Sequence, residues 1–235
     1  MKERPILFSA PMVRAILEGR KTQTRRVAPV SDFVVSPIDH TDLISWRISF
    51  SKPVGKDRTN SSFSGGKFTP AQAANIVASQ FCQHGTVGDR LWVRETHAFI
   101  WPGDFMPDDI KDCNIEYRAD TDGNSAPGDW PIDQRRDPDA PKWRPSIFTP
   151  RWASRITLEI TEVRVERLQD ISETDVVAEG IARFPEAGWH TEEGHFYAAD
   201  PRESYAALWC DINGLTAWDK NPWVWVIKFK RIAQP

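Results

Sequence analysis

Gly19-Arg20-Lys21-Thr22-Gln23-Thr24-Arg25-Arg26 gathers four cations and two hydroxyls into eight residues, with no carboxylate among them. Like charges held this close repel one another, and an anionic or electron-rich visitor relieves the repulsion. The crowding is expected to lower the pKa of Lys21, because Arg20 and Arg25 disfavour its charged form. A lysine so placed is a better base or nucleophile near neutral pH. Thr24, three residues on, offers a hydroxyl that the amine activates or that orients a carbonyl. Glu179 is the candidate general acid/base, provided that the fold carries it to the loop. The plain alternative is a solvated basic turn.

The elements around these residues are legible in outline. Pro5 to Ala10 reads as a strand, and Pro11 to Glu18 as a helix with Met12, Val13, Ile16 and Leu17 on one face. Gly19 ends that helix, so the residues after it are expected to be irregular and accessible. Ser172-Glu173-Thr174-Asp175 has the Ser-x-x-Asp form of a helix start, and that helix is expected to end near Gly180, beside Glu179. Ile156, Leu158, Ile160, Val163, Val165 and Leu168 alternate with one phase change near Glu162, as in a long bulged strand. Gly88 to Glu95 reads as a tight turn feeding a strand. Residues 200–213 place Tyr205, Leu208, Trp209 and Ile212 at helical spacing, and Trp223 to Phe229 is the strongest strand signal. Residues 28–69 are rich in Ser, Pro, Asp and Gly, with only Leu43 to Phe50 strand-like; Pro70 to Phe81 reads as a helix. Residues 100–150 read as a long excursion with Ile115 to Arg118 strand-like, ordered in part by Trp130 and Trp143.

The composition limits the classes of function. A chain of 235 residues with 40% apolar content buries one substantial core or at most two small ones, and its net charge of -3 excludes a globally basic nucleic-acid binder. Any such contact needs a local patch. Residues 1–27 supply one, with seven Lys or Arg against Glu3 and Glu18, whereas residues 99–150 hold eleven acidic side chains against six basic ones. Arginine outnumbers lysine, which suits planar recognition of phosphates or bases. Cys82, Cys113 and Cys210 are too few and too far apart for a disulfide framework, which points to a reducing, cytoplasmic setting. Cys82-Gln83-His84 lacks a second Cys/His pair at ligand spacing, so no metal and no other cofactor is expected. No segment has the length of a signal peptide or a membrane span.

The loop resembles a known signature. Gly19-x-Lys21-x-x-x-x-Arg26 is similar to that of the ASCH family, a branch of the PUA-like superfamily. The family pattern usually has glutamate where this chain has Thr24. The N4-acetylcytidine amidohydrolases within it carry a Gly-Arg-Lys-Thr-x-Thr-x-Arg turn, which this chain repeats from Gly19 to Arg26. The resemblance covers about 4–27, 87–98, 152–182 and 203–232, with insertions at about 28–86 and 99–150. It implies one α+β domain over 1–235, a small mixed PUA-like β-barrel with flanking helices. Longer members ending like Asn221-Pro222-Trp223-Val224-Trp225-Val226 look bacterial or phage-borne.

The expected activity is hydrolysis of an N4-acylated cytosine nucleoside, with Lys21, Thr24 and Glu179 as catalytic residues. Arg20, Thr22, Arg25, Arg26, Trp92 and Arg94 are expected to bind the base or phosphate. Trp152 and Trp223 are further stacking candidates, His97 is expected near a cleft, and His190 and His195 lie in a polar segment. A non-catalytic reader of RNA, single-stranded nucleic acid or modified DNA is the alternative. A ribonuclease using Lys21, Arg26 and His97, or a phage assembly accessory, ranks below both. The oligomeric state is open.

Overall fold

The computed structural model describes residues 1–28, 34–40, 43–50, 59–63, 82–101, 108–121, 127–129, 141–184, 188–190 and 198–232. The expected helix at Pro70 to Phe81 lies outside them, as do Trp130 and His195. The strands are β1 (Glu3–Leu7), β2 (Gln23–Val27), β3 (Val34–His40), β4 (Leu43–Phe50), β5 (Thr59–Phe63), β6 (Arg90–Arg94), β7 (His97–Ile100), β8 (Asn114–Tyr117), β9 (Thr157–Arg167), β10 (Ala182–Phe184), β11 (Gly188–His190) and β12 (Trp223–Ile232). The α-helices are α1 (Ala10–Leu17), α2 (Glu173–Ala178) and α3 (Pro201–Asn213). The class is α+β, with a principal five-stranded sheet in the order β1-β6-β9-β12-β2. Among the described residues that order has two ends, and no closed barrel is seen.

The sheet is mixed. Arg90 N donates to Lys2 O at 2.8 Å and Phe8 N to Arg94 O at 3.3 Å, so β1 and β6 advance in the same direction. Gly88 N to Ile160 O and Val93 N to Ile156 O run in opposite senses, the antiparallel pattern. Strand β12 pairs antiparallel with β2, Val226 opposite Arg25 and Ile227 opposite Thr24.

Two compact units divide the chain. The first comprises residues 1–2, 20–90 and 159–230; the second comprises 3–19, 91–158 and 231–235. In the first, Leu168, Ile171, Val176, Ile181, Tyr205, Trp209, Val224 and Val226 form a buried cluster. Strands β3, β4 and β5 make an antiparallel meander. Strand β4 spans the expected residues, but β3 and β5 were expected to be irregular: sequences such as Thr59-Asn60-Ser61-Ser62 lack apolar alternation, and backbone pairing supplies what the side chains do not advertise. In the second unit Ile6, Val13, Ile16, Leu91, Val93, Ile156 and Leu158 are buried. Strands β7 and β8 pair antiparallel, and the chain returns beside β7, where His97 and Arg144 exchange backbone hydrogen bonds.

Three local differences have clear causes. Strand β1 stops at Leu7 rather than Ala10, because Ser9 takes the N-cap position of α1 with extended backbone and Pro11 fits its first turn. In α3, Tyr205 and Trp209 are buried as expected, whereas Ile212 is exposed near the helix end. Most important for function, the irregular stretch after Gly19 ends at Thr22, and Gln23 onward is strand. The apolar strand β12 offers an edge, and pairing with it overrides the weak local signal of a polar segment.

Candidate functional site

The loop after Gly19, strand β2 and the end of α2 bring the predicted residues Lys21, Arg25 and Glu179 together, these three within the first unit. Gly19, at φ 78°, turns the chain out of α1, and Thr22 N donates to Ala178 O while its carbonyl accepts from Phe229 N. The loop is thereby fastened to the end of α2 on one side and to β12 on the other. Ser172 caps α2 by accepting from Asp175 N at 3.1 Å. Glu179 is the C-cap, followed by Gly180 at φ 99°, a conformation that glycine adopts readily. Both expected ends of this helix are found.

Lys21 and Glu179 meet directly. Lys21 Nζ donates to Glu179 Oε2 at 2.9 Å and to the Glu179 carbonyl at 2.7 Å. Arg25 Nη1 reaches the other carboxylate oxygen, Oε1, at 3.2 Å. Arg25 Nη2 bonds Asp175 Oδ2 at 3.1 Å and also Glu166 Oε1. Arg164 closes the network through Asp175 Oδ2 at 2.7 Å and Glu166 Oε2 at 2.9 Å. Gln23, with its amide oriented to satisfy both neighbours, donates to Asp175 Oδ1 at 3.1 Å and accepts from Arg25 Nη1 at 2.7 Å. The Arg25 guanidinium also lies 5.9 Å from the centre of the Tyr205 ring. Lys21, Arg25 and Arg164 therefore meet Glu179, Glu166 and Asp175, and at the more exposed rim Glu162 joins Arg164 at 3.2 Å to Lys228 at 3.0 Å, so four cations face four carboxylates.

This corrects two expectations. The loop's cations are not left without carboxylates, and Lys21, Thr24 and Arg25 are not accessible: each is at most 2% exposed. The Lys21 amine is lowered from its ordinary value, but burial is the first cause. Glu179 opposes the shift, and Arg26 and Arg25 add smaller lowering contributions. Burial pushes the Asp175 carboxyl up, yet Arg164 and Arg25 outweigh it and hold the group below its ordinary 3.8. Burial and Glu179 together raise the Tyr205 phenol.

The other expected residues fall in different places. Arg20 Nη1 donates to Gly180 O at 3.1 Å, Arg26 Nη1 to Arg25 O at 3.3 Å, and Thr22 is exposed. Strand alternation puts Thr24, paired with Ile227, on the face of β2 opposite Gln23 and Arg25. Trp92 and Arg94 belong to the second unit, where Arg94 lies 5.3 Å from the Trp92 ring and donates to Thr149 O at 3.1 Å. Trp152, in the same unit, stacks on Phe99 at 5.5 Å, whereas Trp223, in the first, has the Arg167 guanidinium 4.3 Å from its ring. His97, expected near a cleft, is fully buried, with Nδ1 3.2 Å from Glu95 O; burial lowers its pKa. His190 lies in β11.

Glu162, Arg164 and Glu166 alternate on β9, a period-two charge pattern that marks one strand face and that sequence reasoning passed over. Asp175 closes the Ser-x-x-Asp helix start. It also stands four residues before Glu179, which places both carboxylates on one side of α2.

The fold and this cluster define an α+β protein with a buried lysine–glutamate pair inside a charge-balanced network. Compared with protein-family models, curated proteins and solved structures, the chain matches none. No helix among the described residues is long and apolar enough to cross a membrane.

Proposed function

We propose that this chain is a PUA-like nucleobase-recognising protein, most concretely a hydrolase of N4-acylated cytosine nucleosides. The observation that supports this is the Lys21–Glu179 contact: an amine whose pKa is lowered, 2.9 Å from a carboxylate oxygen, in a buried, charge-paired setting. That distance is within reach for proton transfer. In the proposed step the deprotonated form of Lys21, whose share the lowered pKa enlarges, takes a proton from the water that attacks the acyl carbonyl. The C–N4 bond then breaks, Lys21 returns the proton to N4, and cytidine and the carboxylic acid leave. Glu179 steadies the transient ammonium. Arg20, in the loop, and Arg26, in β2, carry guanidinium groups that suit a phosphate or carbonyl. Thr24, on the other face of β2, is given no step. The PUA-like barrel remains part of the proposal and draws on the five-stranded mixed sheet and the loop preceding β2.

Purified protein incubated with N4-acetylcytidine is expected to release cytidine and acetate in equal amounts. Lys21→Ala should abolish release, and the alkaline rise of the pH–rate profile should lie below 10.5, the ordinary lysine value. No cytidine from folded protein sinks the hydrolase reading. A binding role is favoured by one feature, the occupation of both Glu179 carboxylate oxygens by Lys21 and Arg25. Nucleoside binding without turnover would assign it.

A further inference from the structure

The second unit carries a surface that the reading above does not use. From residue 140 to 158 the chain has no carboxylate, yet it holds Lys142, Arg144, Arg151 and Arg155 together with Trp143, Phe148 and Trp152. Arg155 is taken up by Glu95 and Asp120. Lys142, Arg144, Phe148, Arg151 and Trp152 are exposed, and Trp143 is half-buried. Phe148 is 68% exposed, Ile147 54% and Trp152 40%, high values for large apolar side chains. Guanidinium groups are set among the rings: Arg94 and Arg151 lie 5.3 and 5.9 Å from the Trp92 centroid, and Arg144 lies 4.8 Å from that of Phe99, on which Trp152 stacks.

We propose that Trp92, Arg94, Arg144, Phe148, Arg151 and Trp152 form a docking surface for single-stranded nucleic acid. Three arguments favour this occupant. Interleaved rings and cations match a chain that alternates flat bases with phosphates. Arginine held on an aromatic face presents its donors outward in a fixed plane, as phosphate recognition needs. The platform is also fixed in advance: Arg144 N donates to His97 O at 2.7 Å, and Arg94 holds Thr149 O at 3.1 Å beside Phe148. Less side-chain entropy is then lost on binding. Arg151 does pair with Glu3 at 3.1 Å, but both side chains are well exposed, and such a pair is weak enough to exchange for phosphate. A duplex hides its base faces and would leave Phe148 and Trp152 unused, so single strands are preferred.

The test is fluorescence anisotropy of the full chain with labelled oligo-dT and oligo-rU of about twelve nucleotides, and a duplex of equal length. The two single strands distinguish DNA from RNA. Phe148→Ala is expected to weaken single-strand binding about tenfold. Replacing Arg144 and Arg151 by Ala should reduce the slope of log affinity against log salt by about 0.7 per residue. Lys21→Ala should leave oligonucleotide affinity unchanged, and Phe148→Ala should leave cytidine release from the free nucleoside unchanged, so failure of either reading is seen separately. No binding at about 50 mM salt, equal affinity for duplex, or indifference to Phe148→Ala would overturn the proposal. Self-association in sedimentation that Phe148→Ala abolishes would overturn it as well, assigning the face to a second copy of the chain.

Discussion

Lys21 has a side chain that is 1% exposed, next to a carboxylate that is 4% exposed, so neither partner can be removed alone without leaving a buried charge. Glu179→Gln is expected to lower unfolding free energy by about 3–5 kcal/mol in urea titration. Adding Lys21→Met should recover part of that loss, since both charges of the contact are then gone. A change below about 1 kcal/mol would mean that the pair contributes little to the fold. Asp175 gives a separate signature. Its pKa in the folded chain is below the ordinary 3.8, so its contribution is complete above that value and is lost as pH falls through it toward the folded value. As pH falls below 3.8 the urea midpoint should therefore drop further in the wild type than in Asp175→Asn. The sequence pairs Lys21 with Glu179 only through a resemblance, because a separation of 158 residues leaves no local pattern. It conceals the burial entirely: a run of cations reads as solvated until Glu166, Asp175 and Glu179 arrive from elsewhere in the chain.

Among the elements, α2 has only six residues, yet it presents Asp175 and Glu179 on the same side. A helix this short owes its ends to capping and its persistence to packing. Ser172→Ala should cost about 1 kcal/mol, read as a lower thermal midpoint, and should reduce cytidine release by loosening Glu179. An unchanged midpoint would show that packing of Val176 alone holds the helix. This element was legible: Ser172 and Gly180 mark its two ends by residue type, and both marks act within a few residues. Strand β2 was not. Its residues Gln23 to Arg26 are polar, and their strand state follows from pairing with Trp225 to Lys228, some 200 residues away.

For the whole molecule, the order β1-β6-β9-β12-β2 places β9 and β12 at the interior of the sheet, where Leu158, Ile160, Val224, Val226 and Ile227 are fully buried. Amides of these two strands should exchange with solvent last, and those of the edge strands β1 and β2 earlier, in a hydrogen-exchange time course. Earlier exchange in β9 than in β1 would contradict the order. The strong strands and helices were readable because apolar alternation is a property of the chain itself. The order of strands, the meander of β3 to β5 and the parallel pairing of β1 with β6 were not, since they depend on partners. The switch of burial in β9, from Leu158 and Ile160 to Val163 and Val165, gives this strand a built-in change of reading frame. Removing or adding one residue at Thr161 or Glu162 would restore strict alternation and shift one half of the strand by one residue against its partners. The spacing between its two apolar halves is thus constrained by counting rather than by chemistry, and a conservative substitution there is tolerable where a deletion is not.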